Sequence, residues 1–155
     1  MGERAEALAA RFEEANRTFM EAVRGIPEDR WGSVVPGEGW PVGVVAHHVA
    51  SMYEINAAWV LAQANGQALE PAPQTIDEIN AEHARQHAGC TREEVLELAR
   101  RNGEAAARLL RGLSDEQLER RRTWRTYDLS TADVIERVMI GHPAVHLRTI
   151  RSATG

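Results

Sequence analysis

Cysteine is nearly missing from this chain of 155 residues, with Cys90 standing alone. That excludes an internal disulfide and any zinc cluster built on paired thiolates. Lysine is absent altogether, so all 18 basic side chains are arginines. An excess of positive charge is missing too: 23 acidic residues leave the chain at −5, which argues against a nucleic-acid-binding surface. No apolar run reaches the roughly 18 residues that a membrane span requires. The opening MGERAEALAARFEE is acidic and amphipathic, unlike a signal peptide. These absences lead us to expect a cytoplasmic protein that engages neither nucleic acid nor membrane.

What the chain does have is helical periodicity. Its 43% hydrophobic and 26% charged content is ordinary for a globular protein, and its length suits one domain over 1–155 with a proper core. Leu8, Phe12, Ala15, Phe19, Val23 and Ile26 recur at steps of three and four, predicting a helix over about 3–24. Gly25 and Pro27 end it, and a turn-rich stretch carrying Trp31 and Trp40 follows. A second helix runs from about Pro41 to Ala64, with Val42, Val45, Val49, Met52, Ile55 or Asn56, and Trp59 expected on its inner face.

Three further starts carry capping boxes, Thr75 with Glu78, Thr91 with Glu94 and Ser114 with Gln117. They open a modest polar helix, a long helix over about 92–112 and a short one. The last helix begins after Ser130. RTWRTYDL is the only extended candidate, and no convincing strand is expected. The resulting fold class is all-α, four main helices with a long link over about 65–91 between the second and third. So long a link can cross the bundle, so those two need not be antiparallel neighbours.

Six histidines punctuate this pattern: His47, His48, His83, His87, His142 and His146. Residues four apart lie on one helical face, so His83 with His87 and His142 with His146 can each clasp one ion. The neighbours of His83 and His87, AEHARQHAG, are polar or small, and we expect that pair to face solvent. His142 and His146 lie among Met139, Val145 and Ile150 and are expected to face inward, where unpartnered imidazoles are costly. Between the adjacent histidines of helix two, His48 falls beside Val45 and Val49, while His47 lies about 100° away towards the edge. His48, His142 and His146 are therefore the candidate metal ligands. Three protein ligands leave a coordination position open, as in catalytic sites. Pro143 lacks a backbone N–H and clashes with the carbonyl of residue 139, predicting a kinked last helix.

The segment GWPVGVVAHHVASMYE resembles the opening of helix two in the DinB-like superfamily, where a metal-binding histidine follows a tryptophan by eight residues. Trp40 plus eight is His48. GHPAVHLRTI resembles that family's fourth-helix HxxxH, placing ligands at His142 and His146. The resemblance implies a four-helix bundle with a long crossover between helices two and three, and a divalent ion, zinc or nickel, at one end of the core. It also implies relatedness to thiol-dependent S-transferases and to the mycothiol-dependent maleylpyruvate isomerase group. The expected function is a metal-dependent thiol S-transferase, with a non-catalytic metal-binding sensor or interaction module as the alternative.

A metal ion can hold a thiol as its nucleophilic thiolate near neutral pH. The expected partners are a low-molecular-weight thiol, such as mycothiol or bacillithiol, and a small electrophile. The composition, rich in arginine and alanine and without lysine, suits a GC-rich coding sequence and thereby mycothiol. Tyr53, Trp59 and Arg125 are the substrate-lining candidates; for each the alternative is structural, core packing for the aromatics and a solvated basic patch for the arginine. Glu54 is off-face and a poor base, and no glutamate follows His142 as in an HExxH protease. Cys90 is read as a plain small residue. Pairing through an exposed helix face predicts a homodimer.

Overall fold

In the computed structural model, residues 2–69 and 73–155 are described. Helix α1 covers Glu3–Gly25, α2 Val42–Ala64, α3 Ile76–Gln86, α4 Arg92–Arg111 and α5 Asp115–Glu119. A hairpin of β1 (Arg121–Trp124) and β2 (Tyr127–Ser130) leads into the final helix. That helix comprises α6 (Thr131–Val134), a π-helical segment (Ile135–Ile140) and α7 (Gly141–Thr154). All three anticipated capping boxes form, and a fourth joins Ser130 to Asp133. Each satisfies two of the N–H groups that a helix start otherwise leaves without partners.

The main helices form a four-helix bundle in which α4 packs on both α1 and α2, and α7 on both as well. Side chains give the directions. Arg92, at the start of α4, donates to the carbonyls of Val23 and Arg24 at the end of α1, while Arg111 at its other end pairs with Glu6 and Glu13. Those two helices are antiparallel. Helix α2 runs parallel to α4: Cys90 Sγ donates to the Gly43 carbonyl at one end, and Gln63 donates to the Arg120 carbonyl at the other. The long crossover permits this, since a parallel neighbour can be reached only by returning along the full length of the bundle.

Buried amides brace the interior. Asn16 Nδ2 donates to the Ala99 carbonyl and Asn102 Nδ2 to the Ala50 carbonyl, both at 3.0 Å. Gly103 makes the first of these fit, because a Cβ there would sit 2.2 Å from Asn16 Nδ2.

Two expectations are corrected. RTWRTYDL is not an isolated extended stretch but most of a β-hairpin, with Arg121 opposite Ser130 and Trp124 opposite Tyr127. The inner face of α2 passes through Asn56 rather than Ile55 but not through Met52 and Trp59; Tyr53, Ala57, Val60 and Gln63 are buried with Asn56. The polar Gln63 disguises that face. At Pro143, where a kink is expected, the last helix changes its type locally. The N–H of Gly141 bonds to the carbonyl of Glu136, five residues back, so the wide turn falls immediately before the proline ring that needs room. The chain remains helical through it.

Candidate metal centre

Helix α2 begins at Val42 behind Pro41, so His47 and His48 sit in its second turn, facing α7 and α3. The π segment delivers His142 into the first turn of α7, and His146 follows one turn on. One nitrogen of each of His48, His142 and His146 lies within 4.8 Å of the others, and all three rings are half-buried. Nε2 of His142 and Nε2 of His146 are 3.0 Å apart. Nitrogens about 2.0–2.1 Å from a shared ion stand roughly 3.0–3.4 Å from each other, depending on coordination angle. The His48 ring stands edge-on to both, with centroids at 5.4 and 5.1 Å. The proposed ligand set is thus gathered at one end of the bundle.

A residue with no local signal supports it. Glu38 accepts the Nδ1–H of His146 at 2.9 Å, and the Thr149 hydroxyl lies 2.7 Å from the same Oε1. Glu38 reaches this position from a turn between Gly37 and Gly39, both at positive φ, closed by the bridge between Val34 and Pro41. The separation of 108 residues hides the pair from any local pattern. A carboxylate on Nδ1 fixes the tautomer and leaves Nε2 as a lone pair aimed at the centre. The donor set, three imidazoles with one already oriented by a carboxylate, fits a borderline divalent cation such as zinc or nickel. Nδ1 of His142 is buried without a protein partner, so solvent is its remaining source of a hydrogen bond. Replacing Glu38 by alanine is expected to weaken metal binding roughly 10–100-fold while leaving the helices intact, as read by competition with a chromophoric chelator. Unchanged affinity would remove Glu38 from this role.

Burial, reinforced by the neighbouring rings, pushes His48 down to about 3 and His47, His83 and His142 down to about 4. All four are neutral at neutral pH, with lone pairs to offer. Because these values lie below the ordinary 6.5, the unfolded chain takes up protons first on acidification. Stability of the metal-free protein is therefore expected to fall as pH drops from 6.5 to about 4, and urea midpoints measured across that window check the sign. A midpoint that rises on acidification would contradict it.

The other expected site residues lie elsewhere. Tyr53 is 1% exposed and packs edge-on against Phe12 and Phe19, so it belongs to the core and lines no open pocket. Trp59 is 37% exposed against Trp124 of the hairpin. Eleven residues beyond His48, it is about 16 Å along α2, towards the opposite end of the bundle. Arg125 is exposed at the hairpin tip with φ of 57°. Its neighbours serve the hairpin: Arg121 pairs with Asp128, and Arg122 donates to the Gln67 carbonyl. The thiol of Cys90 is pushed up to about 11 by burial, which suits an inert side chain.

The expectation for His83 and His87 is also overturned. Both are half-buried and meet His47, itself 8% exposed and not at a rim. One nitrogen of each of these three again lies within 4.8 Å of the others.

This arrangement, a helical bundle with histidines gathered at one end, defines the class, and comparison places the chain within it. The chain belongs to the DinB superfamily, whose model matches residues 11–150. Among solved structures it is similar to YfiT from Bacillus subtilis, described as "a probable metal-dependent hydrolase with an unusual four-helix bundle topology". The TM-score is 0.76 at 17% sequence identity, covering 99% of this chain and 87% of that one. None of the curated proteins compared with the chain matches it. No described helix is long and apolar enough to cross a membrane.

Proposed function

We propose that His48, His142 and His146 hold a divalent ion, zinc or nickel, and that the protein is a metal-dependent transferase acting on a low-molecular-weight thiol and a small electrophile. The observation that carries this reading is the composition of the centre. It offers three imidazoles, while its neighbouring carboxylate, Glu38, is already engaged on the far side of His146. A bound ion supplies a Lewis acid that favours thiolate over thiol, so no separate base is required. His48, His142 and His146 would fix the position of that charge, and all three rings are half-buried rather than sealed in the core. In the reaction, a carbon–sulfur bond forms at the electrophile and its leaving group departs with the bonding electron pair. The thiol proton passes to solvent.

Mycothiol is the first thiol to try, with bacillithiol as the second, and a reducing cytoplasm and a homodimer complete the reading. Hydrolysis is the second reading, favoured by the description of YfiT. The full chain, loaded with zinc or nickel, is to be assayed with a chlorinated aromatic or an epoxide in the presence of each thiol, and with activated esters alone. Turnover that requires both ion and thiol supports the transferase. Metal-dependent ester cleavage without thiol supports the hydrolase, and no turnover with either supports a metal-binding module.

A further inference from the structure

Helix α3 is attached to the bundle in an unusual way. Its half-buried positions are Asn80, His83, Ala84 and, at its end, His87, at helical spacing along one face. Neither isoleucine is buried: Ile76, on that same face but in the first turn, is 66% exposed, and Ile79, about 90° off the face, is 40% exposed. No side chain of α3 is fully buried. A helix docked by the hydrophobic effect would put large apolar side chains into that contact. Instead it is the histidines that face the bundle, and what they meet is His47.

The geometry at that contact requires something between the rings. Nδ1 of His47 and Nε2 of His83 are 2.8 Å apart, and two nitrogen lone pairs so close must share either a proton or a cation. His87 lies against His47 with ring centroids 3.8 Å apart and planes 20° from parallel. One nitrogen of His87 lies within 4.8 Å of one nitrogen of each of the other two rings. His83 and His87 are four residues apart on one helical face, the spacing of a two-residue clasp. His47 comes from a second element, and the Ser51 hydroxyl sits 3.1 Å from its Nδ1.

We propose that His47, His83 and His87 form a second divalent metal site, which fastens the crossover helix α3 to α2. Imidazole-only donors select a borderline cation, zinc, nickel, cobalt or copper, over magnesium or calcium. The ion closes the long loop between α2 and α4. The site stands independently of the function proposed above. It abuts the first centre, since the His48 and His83 rings lie 5.8 Å apart, so two ions share the wall formed by His47 and His48.

The test uses the untagged full chain, loaded with zinc, dialysed and counted by mass spectrometry of the metal, with trypsin cleavage after the exposed Arg85 as a second readout. Two zinc ions per chain are expected in the native protein. One is expected in the double variant His83→Ala/His87→Ala, with native helical content by circular dichroism. Zinc should protect Arg85 in the native protein and in His142→Ala/His146→Ala, but not in the His83→Ala/His87→Ala protein. Should the double variant misfold, His87→Ala alone is to be compared, with the same loss of protection expected. A single zinc ion unaffected by either change in α3, with Arg85 cut equally fast with and without zinc, overturns the proposal. A single ion lost with His83 and His87 but retained without His142 and His146 supports this site and overturns the first one.

Discussion

His142→Ala is expected to strip the His48–His142–His146 centre of its ion and to abolish metal-dependent turnover. The loss of affinity should exceed the roughly 10–100-fold that removal of a merely supporting residue costs, because a ligand is removed outright. The physical contrast with a structural histidine lies in stability. In the metal-free protein, His142 is a half-buried imidazole whose buried Nδ1 has no protein partner, a burial that costs free energy. The metal-free variant should therefore unfold at a urea concentration equal to or above that of the metal-free native chain. In zinc the order reverses, because only the native protein gains stability from the ion, about 2.7 kcal/mol at a hundredfold excess over the dissociation constant. Chelator competition gives the affinity and urea unfolding with and without zinc gives the crossing. A variant that binds zinc as tightly as the native chain, or that is destabilised equally in both conditions, would assign His142 to packing.

Phe12→Ala is expected to be the most damaging single change to stability. Phe12 is fully buried in the middle of α1, and its ring meets Tyr53 of α2 edge-on at 5.0 Å. Removing it deletes a large apolar contact and opens a cavity between two helices that cannot close without moving α2, at a cost of about 3–5 kcal/mol. Set against the 5–15 kcal/mol that typically separates folded from unfolded domains, that is a large share of the total. The same ring helps to seat Tyr53, one turn and a half along α2 from His47 and His48. Equilibrium urea unfolding is the measurement, with Phe12→Leu as the milder companion. A change below about 1 kcal/mol would mean that this part of the core can collapse around the cavity.

The caps show how far local sequence reaches. Thr75, Thr91, Ser114 and Ser130 each announce a helix start within four residues, and each forms the bond it announces. The gathering of His48 with His142 and His146 was legible because periodicity and spacing act within single helices. Elsewhere the decisive partners are distant. Glu38 becomes relevant only through α7, far along the chain. His83 and His87 read as solvent-facing because their neighbours are polar, yet they meet another histidine on α2. The inner face of α2 is hard to place for a related reason: Asn56 and Gln63 lie inside the bundle, where Gln63 is held by the carbonyls of Arg120 and Leu129 and by the indole of Trp124. Polar residues that find their partners only on folding blur the stripe that locates an inner face. The π segment left no signal beyond Pro143 itself, since Ile135–Ile140 carries an ordinary helical sequence.

The central claim is that an ion sits among His48, His142 and His146. Crystals of the zinc- or nickel-loaded protein, measured on both sides of the absorption edge of the metal, test it most directly. The account predicts an anomalous peak about 2.0–2.2 Å from one nitrogen of each of the three rings, with Glu38 still holding Nδ1 of His146. The absence of a peak there, with anomalous density confined to surface carboxylates, would contradict it.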